Sequence, residues 1–320
     1  MLRYVAHRLL FLAPVLIGAT IVVFVLVRLA PGDPTQTLLG PNATEEAREA
    51  LRLKLGLLDP LYAQYWNWLR LALQGDLGIS IEMQSPVLHV AIERFKNTLI
   101  LGGASGLLGL VLGIAVGVVS AVRQNGWFDR SVLFVSIFGI SLPSYWLSVV
   151  LIYLFAVKLG WFPTGQMYSV RGDQDLLDLL WHLVLPMLAG FVVPAALIAR
   201  FARTAMLEVL GRDFLTGLRA KGMPEWRVLY HHAFRNALPP IVSMSGLQIG
   251  YQLLGQMLFI EIVFGWPGIG FQIYNAVGAR DYPMIAGIVL LATVVFVLIN
   301  LLVDICSAML DPRAGLQTAR

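Results

Sequence analysis

Charged residues are scarce in this chain of 320 residues, where Asp, Glu, Lys and Arg together make up 13% of the sequence. Soluble globular domains contain about 25% of these residues. Hydrophobic residues reach 58%, and the mean hydropathy is +0.75. This combination excludes an ordinary water-soluble protein and predicts an integral membrane protein.

Cysteine is almost absent, since Cys306 is the only one. A single cysteine excludes any disulfide within the chain.

The first apolar run follows Arg3 and Arg8, as in a secretory signal peptide. That run is too long for a signal core, and residues 28–30 lack the small-x-small pattern of a cleavage site. We therefore expect the first segment to remain as a membrane anchor.

Long charge-free runs are the strongest pattern in the sequence. A helix needs about 20 apolar residues to cross the hydrocarbon core of a bilayer, and helices satisfy their own backbone hydrogen bonds there. The runs predict an all-α membrane protein with six transmembrane helices in a single domain, residues 1–320. The predicted spans are residues 9–27, 97–122, 131–157, 183–199, 236–260 and 283–303.

Basic residues predict the orientation. With the N terminus in the cytosol, 13 of the 23 Lys and Arg residues lie on the cytosolic side, together with only 6 of the 19 acidic residues. Because Lys and Arg concentrate in cytosolic loops, both termini are predicted to be cytosolic. Residues 30–96 then form a large extracytoplasmic loop. Residues 200–235, with seven Lys or Arg residues, form a long cytosolic loop.

The extracytoplasmic loop contains a predicted helix that starts at Asp59-Pro60 and ends before Gly75. It carries aromatic rings of the amphipathic kind that favour the membrane boundary. Two interpretations stay open, and they do not exclude each other: the helix lies on the bilayer, or it contacts an external partner. The aromatic residues are Tyr62, Tyr65, Trp66 and Trp68.

Five glycines recur in the second predicted span at spacings of three and four residues, which places them on neighbouring faces of one helix. Small residues allow helix backbones to approach closely in a membrane, where burial of apolar surface cannot drive association. We therefore predict close packing against a neighbouring helix, in this chain or in a second subunit. These helix-packing residues are Gly102, Gly106, Gly109, Gly113 and Gly117.

Several activities lack the residues that they need. Ser105 stands in a GxSG-like sequence, as in an intramembrane serine protease, but all five histidines lie in tails, loops or span ends, so none can act as its base. No span carries an ionisable residue near its centre, which argues against an ion-coupled carrier. The phosphate-binding sequence GxxxxGK followed by Ser or Thr is missing. A nucleotide that drives this protein would therefore bind another subunit.

The cytosolic loop predicts a short helix between two longer ones. The fourth span would continue as a helix and break at Gly211. A short helix would follow from about Asp213 to Lys221, with Gly222 in the left-handed conformation that closes a helix. Pro224 suits the first turn of the next helix. Charge alone indicates only a cytosolic location, whereas the helical pattern indicates a docking element.

The sequence LRAKGMPEWRVLYHHAFRNALPPIV, residues 218–242, resembles the EAA loop of ATP-binding-cassette (ABC) importer permeases, in the RAKG form of the peptide/nickel subfamily. Five other segments are similar to the same subfamily, in the same order and over nearly the whole chain, and PGDP resembles the dipeptide or oligopeptide permease B type. They are APGDP (30–34), GDLGIS (75–80), FGWPGIG (264–270), RDYPMIAG (280–287) and NLLVDICSAMLDPR (300–313).

The resemblance implies the type I ABC importer permease architecture and a non-catalytic role. In such importers an external solute-binding protein delivers the cargo, two homologous permeases form the pathway through the bacterial inner membrane, and two cytosolic ATPases bind ATP and Mg. This chain would be one permease for dipeptides, other short peptides or glutathione, with no cofactor, metal or nucleic acid of its own. The alternatives are a nickel-chelate importer permease and, in a different class, a self-sufficient secondary carrier or channel.

The resemblance also implies site residues, since the short helix would enter a cleft of an ATPase subunit. A pair that is often Thr-Ala in the family is Gly217-Leu218 here, and a glycine weakens a helix by up to ~1 kcal/mol relative to Ala. The resemblance also implies a tight turn at residues 264–270, near the gate of the transport pathway. Proline fixes one backbone dihedral angle there, and glycine allows angles that other residues disfavour. The ATPase-coupling residues are Leu215, Arg219, Ala220, Lys221, Gly222 and Met223. The turn residues are Trp266, Pro267, Gly268 and Gly270.

Overall fold

The computed structural model describes residues 14–25, 28, 35, 39–40, 43–54 and 56–310, and most of them are helical. Three segments are π-helical: Ile152–Lys158, Arg227–Ala233 and Gln252–Gln256. The α-helices are α1 Pro14–Val25, α2 Glu45–Lys54, α3 Leu61–Leu73, α4 Val87–Val122, α5 Trp127–Ser141, α6 Ser144–Leu151, α7 Leu176–Leu210, α8 Asp213–Ala220, α9 Phe234–Tyr251, α10 Met257–Phe264, α11 Ile269–Ala279 and α12 Tyr282–Leu310.

Three of the described helices are long and apolar enough to cross a membrane by themselves: α4, α7 and the part of α12 from Tyr282 to Val303. The number rises to five if two bent pairs each form one span, namely α5 with α6 and its π-helical continuation, and α10 with α11. α1 is a shorter apolar helix. The chain is therefore an all-helical, multi-pass membrane protein, while the six-span count and the cytosolic termini stay predictions.

Some predicted features lie partly or wholly outside the described residues. They are residues 9–13 and 26–27 of the first span, the APGDP segment at 30–34, and residues 311–313 of the last similar segment.

The second predicted span, residues 97–122, is the C-terminal part of a longer helix, because α4 begins at Val87. Charges at residues 93–96 interrupt the apolar run, but they do not interrupt the helix. Val87 and Ala91 are fully buried and pack in a cluster with Met284 and Ile288. Contacts with other parts of the chain thus stabilise the first part of α4. This part is too short of consecutive apolar residues to be predicted as a membrane span.

The third predicted span, residues 131–157, is not one continuous helix, which corrects that expectation. α5 ends at Ser141, α6 begins at Ser144, and the two helices meet at an angle of 98°. Leu142 has an extended conformation with ψ 123°. The residue before a proline disfavours the α conformation, so Pro143 explains the break.

α7 continues well beyond the fourth predicted span, residues 183–199, and reaches Leu210, as the sequence predicted. Pro186 and Pro194 both lie inside this helix. Prolines are tolerated in membrane helices because neighbouring groups satisfy the backbone that they leave unpaired.

The described residues form two compact units. One contains residues 98–267 and 298–310, and the other contains the described residues up to 97 together with residues 268–297. The first unit has two hydrophobic clusters. We call the first one the loop core: Val118, Ala121, Ala202, Ala205, Met206, Val209, Leu215, Val228, Ala233, Ala237 and Ile241. It contains residues from five helical segments: α4, α7, α8, the π-helical segment Arg227–Ala233 and α9.

Candidate functional site

The loop between α7 and α9 folds as the sequence predicted. α7 ends at Leu210, and α8 runs from Asp213 to Ala220, within one residue of the predicted end. Gly222 has a left-handed φ of 74°, and its N–H donates to the carbonyl oxygen of Arg219 at 2.9 Å. The N–H of Arg227 bonds to the carbonyl oxygen of Pro224 at 2.9 Å. Glu225 and Trp226 are helical and precede the π-helical segment that starts at Arg227, so the next helix begins directly after the predicted proline.

Leu215 does not lie on the outside of this loop, which corrects its assignment as a direct coupling contact. Its side chain is fully buried in the loop core, together with Met206 of α7 and Val228 of the following π-helical segment. Leu218 and Met223 are partly buried against the same core. These three side chains attach α8 to the membrane helices. Leu215 has no exposed surface that an ATPase could contact, whereas the coupling role of the partly buried Met223 stays a prediction.

Arg219 is exposed, but its charge is paired. Its guanidinium donates to the Glu225 carboxylate, with Nη2 to Oε1 at 2.8 Å and Nε to Oε2 at 3.1 Å. The pair closes over the turn at Gly222. This contact raises the pKa of the Arg219 guanidinium and lowers the pKa of the Glu225 carboxyl, in both cases mainly through the hydrogen bond. Lys221, the other predicted basic residue, is exposed and follows directly on α8. Of the two, Arg219 has its charge balanced by the Glu225 carboxylate.

The Arg219–Glu225 pair predicts a small, pH-dependent contribution to stability. Because the pKa of Glu225 is lowered below its usual 4.5, the contribution is present above that value and is lost as the pH falls through the lowered pKa. Exposed pairs contribute about 0.2–1 kcal/mol. We expect Glu225→Gln to lower the thermal midpoint slightly at pH 7 and to leave it unchanged in acid below the lowered pKa. The exposed Glu208 offers a matched control, Glu208→Gln, and equal midpoints for both variants at pH 7 would contradict the prediction.

Three aromatic side chains are exposed on and beside α8, and sequence reasoning missed them. Phe214, Trp226 and Tyr230 are 41%, 60% and 54% exposed. Arg227 stacks on Trp226, with its guanidinium carbon 5.2 Å from the ring centroid. Aromatic residues are enriched in protein interfaces, and their presence in a polar loop was the available signal. We call the exposed residues Phe214, Arg219, Ala220, Lys221, Trp226 and Tyr230 the coupling surface, and their contact with an ATPase stays a prediction.

A buried ion pair lies between α5 and α7. Asp129 is 2% exposed and accepts two hydrogen bonds from Arg203, at 2.5 Å from Nε and 2.8 Å from Nη2. Its carboxylate also accepts from the Ser120 hydroxyl at 2.5 Å and from the Asn125 N–H at 2.9 Å. The pair therefore joins the end of α4, the turn after it, α5 and α7. The two partners are 74 positions apart in the sequence, so no local sequence pattern predicts the pair.

All five helix-packing glycines of α4 lie against helices of this chain. A Cβ atom on Gly113 would lie 2.9 Å from the Ala195 carbonyl oxygen, and one on Gly109 would lie 3.1 Å from Pro194. A Cβ on Gly117 would overlap the Ala199 carbonyl oxygen of the same α7. Gly102 and Gly106 face Leu253 and Ile249 instead.

Ser105 behaves as a packing residue in the structure. It is fully buried, and its hydroxyl donates to the carbonyl oxygen of Leu101 at 2.7 Å, one turn earlier in the same helix. This is the usual bond of a serine inside a helix.

Gln252 is also fully buried, and its Nε2 donates to the Gly190 carbonyl oxygen at 3.1 Å. The described residues contain no group of three or more His, Cys, Asp or Glu that could hold a metal ion.

The predicted turn at residues 264–270 depends on a different glycine from those named. Gly265 has φ 59° and ends α10, and the Trp266 N–H bonds to the Glu261 carbonyl oxygen at 2.8 Å. Gly268 has φ −96° and an extended backbone, which any residue can adopt. Trp266 is fully buried in a hydrophobic cluster with Phe264. The gate role of Trp266, Pro267, Gly268 and Gly270 stays a prediction.

Two of the similar segments, GDLGIS and RDYPMIAG, come together in the second unit. Asp281 is 1% exposed and accepts hydrogen bonds from the Ser80 hydroxyl at 2.5 Å and from the Glu82 N–H at 3.2 Å. Its other oxygen accepts from the Met284 N–H at 3.2 Å, at the start of α12. A single buried carboxylate thus fixes the loop before α4 to a helix 199 residues later in the chain.

Comparison with known proteins gives the context of this site. Residues 110–315 match the family described as binding-protein-dependent transport system inner membrane component, and residues 1–102 match the N-terminal family of the same systems. The glutathione transport system permease protein GsiC of Escherichia coli K12 is 41% identical, covering 98% of both chains. The dipeptide transport system permease protein DppB of Alkalihalophilus pseudofirmus is 39% identical, covering 98% of this chain and 99% of that protein.

A solved structure of the MetNI methionine ABC transporter in an inward-facing conformation shares the fold. Its TM-score is 0.57 at 21% identity, with 70% of this chain and 97% of that chain covered. At this identity the likeness shows the fold alone, which is the type I importer permease architecture. With family matches along both parts of the sequence and relatives of the same length, the chain belongs to the binding-protein-dependent transport system inner membrane components.

Proposed function

We propose that this chain is a permease subunit of an ATP-driven, binding-protein-dependent importer of dipeptides, other short peptides or glutathione in the bacterial inner membrane. The observation that carries the proposal is full-length identity of 39–41% to relatives named as dipeptide and glutathione permeases. A second, homologous permease completes the pathway, an external binding protein delivers the cargo, and two cytosolic ATPases bind ATP and Mg. This chain is the non-catalytic part, with both termini in the cytosol and six spans.

The loop geometry supports a mechanical role for the coupling surface. α8 is attached through Leu215 to a core that also contains Val118 of α4, Met206 of α7 and Ile241 of α9. Packed cores switch between discrete arrangements and do not deform continuously. An ATPase that moves α8 would therefore move the ends of three membrane helices together. ATP-driven closure of the ATPases would reach the pathway by this route.

The proposal is tested by purifying the chain from its own membranes in mild detergent and reconstituting the purified material in vesicles. We expect a second permease and an ATPase to be recovered with it. We also expect uptake of a labelled dipeptide or glutathione that requires ATP and the external binding protein. Uptake by the isolated chain, without ATPase or binding protein, would contradict the proposal. ATP-dependent uptake of a nickel chelate, but of no peptide, would contradict the cargo assignment alone.

Gly222→Arg is expected to uncouple ATP hydrolysis from uptake. Gly222 has φ 74°, and a side chain in this conformation costs roughly 1–2 kcal/mol, so the turn that orients the coupling surface should rearrange. We expect about tenfold less uptake per ATP hydrolysed, with membrane insertion intact. Gly160→Arg is a matched control, because Gly160 has φ 63° and open space but lies outside the loop. Equal uptake per ATP for both variants would contradict a role of this turn in coupling.

A further inference from the structure

One face of α3 carries large apolar side chains that are exposed. Tyr62, Trp66 and Leu73 are 71%, 65% and 81% exposed. Their separations of four and seven residues place them along one face of the helix. We call these three residues the α3 stripe. An apolar stripe of this size on a helix outside the long spans requires a covering partner.

Other side chains of α3 pack against α1. The rings of Tyr65 and Phe24 meet edge to face with centroids 5.5 Å apart, and Trp68 lies 6.1 Å from the same Phe24 ring. The hydroxyl groups of Tyr65 and Thr20 are hydrogen-bonded at 2.8 Å. Thr20 is 7% exposed, so this contact is closely packed. α3 is therefore attached to the side of α1.

The position of Thr20 and Phe24 along α1 gives the depth of this contact. Both residues lie in the charge-free run 9–27, which ends before Arg28. The Arg28 guanidinium carbon lies 5.4 Å from the centroid of the Phe24 ring. Thr20 precedes Val25, the last residue of α1, by five residues, which corresponds to roughly 7.5 Å along the helix axis. α3 thus lies beside the apolar part of α1.

We propose that α3 is embedded in the bilayer leaflet at the Arg28 end of α1, with the α3 stripe against phospholipid acyl chains. Trp66 and Leu73 line a groove together with Arg70 and Gln74. An arginine at such an edge extends its aliphatic part along apolar surface and brings its guanidinium to a lipid phosphate. Tyrosine and tryptophan rings are typical of this boundary region. The contact with α1 favours lipid over an external protein, and this inference does not depend on the cargo.

Spin labels on the α3 stripe test the proposal. In a Cys306→Ser background, Trp66→Cys and Leu73→Cys are labelled with a nitroxide in the assembled importer, in nanodiscs of phosphatidylethanolamine and phosphatidylglycerol. Collisions of each label with oxygen, which concentrates in lipid, are compared with collisions with a water-soluble nickel chelate. Val22→Cys on α1 is the lipid control, since Val22 is 57% exposed within the apolar run. Ile79→Cys is the water control, since Ile79 is 63% exposed in the loop after α3.

We expect oxygen collisions at Trp66→Cys and Leu73→Cys to exceed nickel-chelate collisions several-fold, as at Val22→Cys, with the reverse at Ile79→Cys. Nickel-chelate access equal to that at Ile79→Cys would overturn the proposal. Protection from both reagents would also overturn it, because another subunit would then cover the α3 stripe. A loss of nickel-chelate access only after addition of the external binding protein would assign this face to that protein. None of these outcomes depends on whether the importer carries peptides.

Discussion

Asp129→Asn is expected to lower the free energy of unfolding by about 3–5 kcal/mol, the cost of removing one partner from a buried ion pair. The Asp129 carboxylate is 2% exposed and accepts four hydrogen bonds, two of them from Arg203. Asparagine keeps the shape of the side chain but leaves the Arg203 charge without its counter-charge. The measurement is the thermal midpoint of the purified protein in detergent, with Arg130→Gln, an exposed change at the next residue, as the control.

The double variant Asp129→Asn/Arg203→Met separates the cost of an unpaired charge from loss of packing. Removing both charges should restore much of the stability, because well-packed apolar residues often replace a buried pair without loss. Ser120→Ala removes one of the four donors and should cost only about 1 kcal/mol. A double variant that is as unstable as Asp129→Asn would show that shape, and not charge, makes this site sensitive.

Gly117→Ala is expected to destabilise the protein by about 1–3 kcal/mol, the usual cost of overpacking. The added Cβ atom would overlap the Ala199 carbonyl oxygen and lie 2.8 Å from the Cβ of Ala202. Backbone atoms of α7 cannot move away without separating the two helices. Helix propensity alone predicts the opposite sign, because Ala favours a helix over Gly by up to ~1 kcal/mol.

Gly103→Ala is the matched control on the same helix. Gly103 is exposed, and no atom lies within 4 Å of its Cβ position. We expect an unchanged or slightly higher thermal midpoint for this variant, and a lower one for Gly117→Ala. The same sign of change in both variants would mean that helix propensity dominates and that the close approach of α4 to α7 contributes little.

The loop of residues 200–235 shows how far local sequence signals reach. Gly211, Asp213, Gly222 and Pro224 predicted where its helices begin and end, and the structure confirms these positions within a residue. Such boundaries depend on backbone preferences of single residues and their near neighbours. The role of Leu215 did not follow from the same signals, because whether a helical side chain points inward depends on which helices pack around it.

The apolar helices and the family could be inferred from the chain without coordinates. Hydrophobic runs, glycine spacing and short similar segments are properties of consecutive residues, and lipid requires long apolar helices wherever a chain crosses it. The side-chain contacts between distant residues could be identified only from the folded structure. The Asp129–Arg203 and Ser80–Asp281 bonds join residues 74 and 201 positions apart. Arg219 reaches Glu225 only because the turn at Gly222 reverses the chain. Such contacts require helix packing and backbone direction to be established first, since hydrogen bonds form only at short range and in defined orientations.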